Sequence, residues 1–128
     1  AVTTLFNPSE GLIIVQVELK GPEGSIVVRL ALDTGATRTL VNVAPLLVVG
    51  YTPEQASELI FVTTGSGVEH VPCLPVLSIS ALGRTRQDFS VLAHTLPQSA
   101  KIDGVLGLDF LRQGRLCIDF DLGHLTIE

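Results

Sequence analysis

The sequence predicts an all-β fold with one or two short helices and one projecting hairpin. Short runs rich in Val, Ile and Leu recur along the chain, and Gly- and Pro-containing turn signals fall between them. Size points the same way. At 128 residues, with 46% hydrophobic and 16% charged residues and a mean hydropathy of +0.49, the chain can bury one core and is more apolar than an average soluble domain. Residues 1–128 read as a single domain, without internal repeat, low-complexity tract or linker.

Taken in order, Leu12 to Lys20 and Ser25 to Leu32 are the first two strands, and Gly21-Pro22-Glu23-Gly24 is the hairpin turn between them. The second strand ends at Asp33-Thr34-Gly35, where Gly35 gives the backbone freedom of a sharp turn, and Leu40-Val41 resume an extended segment. Ala44 to Leu47 form a helical turn. Thr52-Pro53-Glu54-Gln55 combines an N-cap, a first-turn proline and a capping-box glutamine, which predicts a short helix near residues 53–58. Phe61 to Val71 is a Gly-tipped segment between β-prone arms and predicts a projecting hairpin. Leu74 to Ala81 and Gln87 to His94 follow as two strands around the loop Leu82 to Arg86. Pro97 to Ala100 lead into Ile102-Asp103-Gly104-Val105-Leu106-Gly107, and a short amphipathic helix comes next. Arg115 to Phe120 and His124 to Ile127 close the chain as a hairpin around Asp121-Leu122-Gly123.

Asp33 stands out because its turn lies between two apolar runs and no second Asp-Thr-Gly or Asp-Ser-Gly occurs. Taken alone the tripeptide reads first as an Asp-Gly loop capping a strand, and context decides. That context is Val105-Leu106-Gly107-Leu108-Asp109-Phe110-Leu111, about 70 residues further on. With Leu-Asp-Thr-Gly-Ala-Thr at 32–37 and this second segment in that order, the chain resembles the retropepsin-like aspartic proteases over roughly residues 10–128. The resemblance implies a closed β-barrel, the half-lobe of an acid protease, in which the hairpin near residues 61–71 is the flap.

It also implies roles. Asp33 is the expected catalytic carboxylate. Thr34 hydrogen-bonds across a dimer axis, and Gly35 admits the substrate backbone. Ala36 and Thr37 line the cleft, the flap residues Thr64, Gly65, Ser66 and Gly67 meet the substrate, and Val105 and Leu106 form pockets or pack behind them. Leu108 occupies the position where many viral members carry a basic residue, and Thr37 replaces an acid common in their loop, so an ion pair of that family is missing here.

Peptide hydrolysis by this class needs two adjacent carboxylates sharing one proton. Asp88, Asp103, Asp109, Asp119 and Asp121 lack the Thr-Gly continuation and read as turn or helix-start acids. The second carboxylate must then be Asp33 of a second copy, so a homodimer is expected, and mutual repulsion should split the titration of the pair into two steps. The expected activity is that of an aspartic endopeptidase, with a peptide or protein substrate that is apolar around the scissile bond. The alternative is a noncatalytic peptide-binding or dimerisation domain of the same fold.

Net charge is −5, from 8 Lys and Arg against 13 Asp and Glu, with the basic residues scattered apart from Arg84 and Arg86 on an expected turn. Nucleic acid is therefore a disfavoured partner. No run approaches the roughly 20 apolar residues of a membrane span. Cys73 and Cys117 lie in apolar strand-like stretches and are expected as buried free thiols, while His70, His94 and His124 show no metal-ligand spacing. No metal or organic cofactor is expected. A chain that begins at Ala1 and lacks Met reads as an excised or processed piece.

Overall fold

The computed structural model describes residues 2–128, and of Thr64 the backbone alone. In chain order come β1 (Thr4–Leu5), β2 (Ile14–Gly21), β3 (Gly24–Leu32), β4 (Leu40–Asn42), α1 (Val43–Val48), a 3-10 turn (Pro53–Gln55), β5 (Glu58–Thr64), β6 (Gly67–Ala81), β7 (Arg84–His94), β8 (Gly104–Leu106), α2 (Leu108–Leu111), β9 (Leu116–Asp119) and β10 (His124–Ile127). Strict alternation sets the first hairpin. Val15, Val17 and Leu19 of β2 point inward and are buried, while Gln16, Glu18 and Lys20 face out. A slip of one residue would turn the apolar set to solvent, which fixes the register of β2 on β3, with Val17 opposite Val28.

The strands close into a barrel in the order β2, β3, β8, β4, β7, β6, and the ring shuts where Glu18 to Lys20 of β2 pair with Ser80 to Ser78 of β6. The fold is mostly β, as expected. Leu30, Leu46, Leu74, Ile79, Leu106 and Phe110 fill the interior. β5 stays outside the ring, paired only with β6. A separate sheet, β1-β10-β9, joins the two chain ends, and the expected closing hairpin is its β9–β10 pair.

Several local expectations are corrected. The loop at Leu82 to Arg86 shrinks to the two residues Leu82 and Gly83, both left-handed at φ 58° and 74°, the turn whose twist suits adjoining antiparallel strands. Arg84 and Arg86 consequently lie in β7 rather than on a turn. The helix expected over 53–58 is only the 3-10 turn Pro53–Gln55. The expected capping box is present, with Thr52 N–H donating to Gln55 Oε1 at 3.0 Å, but the chain then straightens at Ala56. Both the Ser57 N–H and its hydroxyl donate to the Cys73 carbonyl, so β6 draws this segment into strand pairing.

β6 also runs unbroken through Pro72 and Pro75. Pro72 falls beside Cys73, where pairing passes from β5 to β7, and Pro75 pairs on one side only, positions at which a missing N–H is tolerated. Cys73 is buried as expected. Cys117 is exposed instead, because it occupies an outward position of the edge strand β9, and both thiols are free.

Candidate active site

Asp33 follows directly on β3, and two main-chain bonds fix its place. Its N–H donates to the Leu106 carbonyl at 3.0 Å, and its own carbonyl accepts the Ala36 N–H at 3.2 Å. The Gly35 N–H donates to Asp33 Oδ1 at 2.9 Å, which orients the carboxylate from within its own turn. β8 is threaded between the two strands that carry this turn. Leu30 to Leu32 pair with it in parallel on one side, and Leu40 and Val41 antiparallel on the other.

This threading explains the apolar-apolar-Gly segment physically. A Cβ on Gly107 would lie 2.8 Å from the Ala36 carbonyl oxygen and from both carbonyl atoms of Arg38, so only glycine lets the β8–α2 junction pass beneath the turn. The Leu108 N–H then donates to the Ala36 carbonyl at 2.8 Å.

A second lock lies behind the turn. Thr39, fully buried, donates its hydroxyl to Asp109 Oδ1 at 2.7 Å and its N–H to Asp109 Oδ2 at 2.9 Å, while its hydroxyl oxygen accepts the Gly107 N–H at 3.1 Å. Asp109 was expected as a simple helix-start acid. It does meet its own helix, accepting the Phe110 N–H, but its main partner is Thr39, the residue that ends the Asp33 turn. The signal available in the sequence was a threonine six residues after Asp33 and an acid two after Gly107.

The helix is also held from β7. Arg86 donates to the Phe110 and Arg112 carbonyls and sits 5.6 Å above the Phe110 ring, while Arg84 reaches the Phe110, Arg112 and Gln113 carbonyls. These cations satisfy carbonyls at the open C-terminal end of α2. Arginines from a strand thus anchor a helix that lacks a basic residue of its own at Leu108.

Asp33 opens into a cleft of about 450 Å³. Gly35, Ala36, Thr37, Arg38 and Leu40 line it from the turn side, Ile60 to Thr63 from β5, and Leu92 and Val105 from the barrel. Of the residues singled out in the sequence, Asp33, Gly35, Ala36, Thr37 and Val105 therefore meet at one cavity. Thr34 is exposed on the turn and does not line it. Leu106 is wholly buried in the core, so its part is the packing behind the site. Gly65, Ser66 and Gly67 form the end of the β5–β6 hairpin and do not line the cleft of one chain; the Thr64 side chain lies outside the described residues, though its backbone pairs with Gly67.

Arg38, which the sequence did not single out, is the one basic side chain among the described residues that line the cleft. Among the described residues no group of three or more His, Cys, Asp or Glu side chains is placed to hold a metal ion, and no helix is long and apolar enough to cross a membrane.

The family model described as aspartyl protease matches residues 15–110. No curated protein matches the sequence. Among solved structures, a retropepsin-like aspartic protease from Rickettsia conorii superposes with a TM-score of 0.72 at 17% identity, covering 97% of this chain and 88% of that one. The EIAV protease, solved with the inhibitor HBY-793, superposes with a TM-score of 0.63 at 19% identity, covering 84% of this chain and 92% of that one. At such identities the likeness is one of fold, and it agrees with the closed barrel and short helices found here.

Proposed function

The chain belongs to the aspartyl protease family, and on that premise we propose that it is an aspartic endopeptidase active as a homodimer, each copy supplying one Asp33. The observation that carries this reading is a single Asp33 carboxylate, pinned at the main chain and opening into a substrate-sized cleft. One carboxylate cannot both take a proton from water and give one to the carbonyl. A two-fold axis beside the turn supplies the second from the same sequence.

Water held between the two carboxyl groups attacks the peptide carbonyl carbon. Its proton passes to the ionised Asp33, while the protonated partner gives its own to the carbonyl oxygen. The tetrahedral diol then collapses, the C–N bond breaks, and the amine leaves with a proton returned from the pair. No covalent enzyme intermediate forms. The β5–β6 hairpin acts as the flap, excluding water and offering backbone hydrogen bonds to an extended peptide. Leu5 on β1 and Phe120 and Leu122 beside β9 stay exposed, and apolar surface of that kind favours self-association.

The test is cleavage of a diverse peptide library across pH and protein concentration. Cleavage with a bell-shaped pH profile, specific activity that rises with concentration, and loss of activity in Asp33→Asn are expected. An Asp33→Asn protein that binds peptides as the wild type does, with neither protein cleaving any, would favour the noncatalytic binding domain instead.

A further inference from the structure

Among the described residues the cleft holds two charged side chains, Asp33 and Arg38. Arg38 lies five residues further along the same turn, half-buried, among Leu40, Ile60, Leu92 and Val105. Its guanidinium carries a permanent charge and five N–H donors. Among the described residues its one hydrogen-bond partner is the Cys73 thiol, at 3.3 Å from Nη2, a weak acceptor, and no carboxylate lies within ion-pair distance of it. Arg84, Arg86 and Arg29 differ, since each spends its donors on main-chain carbonyls, and Arg115 pairs with Glu128. A partly desolvated cation among apolar walls is poorly compensated until an anion arrives, and a carboxylate fits its fork in two parallel bonds.

We propose that Arg38 is a specificity-determining residue that makes the cleft select peptides carrying an acidic side chain close to the scissile bond. The proposal deepens the endopeptidase reading and rests on it. In a two-fold dimer Arg38 occurs twice, so the preferred acids stand at equivalent distances on the two sides of the cleaved bond. The apolar preference expected from the sequence survives at the positions facing Leu92 and Val105, with the acid read beside them.

The experiment uses fluorogenic peptides with apolar residues at the scissile bond and Glu or its neutral isostere Gln placed in turn at three positions on either side. The expected result is about tenfold higher kcat/KM for Glu over Gln at one position on each side. Arg38→Gln should bring that ratio to about one, and Arg38→Glu should make Lys the preferred residue there. A control independent of any variant is the pH dependence of the wild-type ratio. It should be largest near neutrality and shrink towards one as the substrate Glu protonates below about pH 4.

The same peptide pairs, bound to Asp33→Asn and read by fluorescence anisotropy, separate this inference from the endopeptidase reading. Glu-selective binding without wild-type cleavage would overturn the protease and keep the acid-reading cleft. Equal handling of Glu and Gln at every position, in cleavage and in binding, would overturn the role of Arg38 and leave it a structural partner of Cys73.

Discussion

The turn carrying Asp33 and the hairpin of β5 and β6 line one cleft, yet they are held in opposite ways. Behind the turn stand β8 on both flanks, a glycine that admits no side chain, and a fully buried threonine joined by three hydrogen bonds to Asp109 and Gly107. The hairpin has its own ladder and little else. Its residues Ile60 and Val62 reach a small cluster with Val71, Cys73 and Leu92, while Leu59, Phe61 and Val68 stand exposed, Phe61 also lining the cleft. Phe61 meets His70 edge to face at 4.3 Å, a contact within the hairpin itself. Chemistry that needs a carboxylate within a fraction of an ångström belongs on the over-determined side, and a cover that must admit a peptide belongs on the other.

The contrast breaks most visibly at Gly107. Replacing it with Ala forces a methyl group against three main-chain atoms of the turn, and a loss of about 3 kcal/mol is expected, read by urea unfolding. If Gly107→Ala is as stable as the wild type, the turn is not clamped as described. Thr39→Val comes next. It keeps the shape but leaves the Gly107 N–H unpaired and takes one donor from Asp109, a cost of about 2 kcal/mol that Thr39→Ser should largely recover. Full stability in Thr39→Val would mean that the Asp109 bonds are incidental.

On the hairpin side the effect on stability should nearly vanish. Phe61→Ser removes a ring that is 70% exposed and should shift unfolding by no more than about 0.5 kcal/mol, while raising KM for peptides severalfold. A large loss of stability there would erase the distinction between the two walls.

How far the sequence revealed this arrangement follows the same division. Local signals were legible where one segment decides its own structure: the turn at Gly21 to Gly24, the alternation of β2, the Asp33 turn and the closing hairpin. The barrel's extra twists were not, because they depend on distant partners. Cys73 draws Ser57 into pairing and cuts the helix after Gln55, and the hairpin arm ending at Val71 and the strand beginning at Leu74 join into one β6 because Pro72 and Pro75 fall where that strand has an open side. β1, two residues long, exists only through β10.

In the site, residue types chosen for chemistry were readable, and those chosen for support were not. Asp109 looked like a helix-start acid because nothing local shows Thr39, 70 positions away, and Arg84 and Arg86 looked like turn cations because the carbonyls they meet, from Phe110 to Gln113, lie 24 to 29 residues on. Arg38 carried no signal until the cleft placed it beside Asp33.

The central claim, that two copies each lend one Asp33, is tested most directly by mixing. Wild type and Asp33→Asn are unfolded together, refolded at constant total concentration in varying ratio, and assayed on a cleavable peptide. If only a dimer with two Asp33 residues works, activity follows the square of the wild-type fraction, falling to about one quarter in an equal mixture. A linear fall, to about one half, would mean that each chain acts alone and would contradict the shared site.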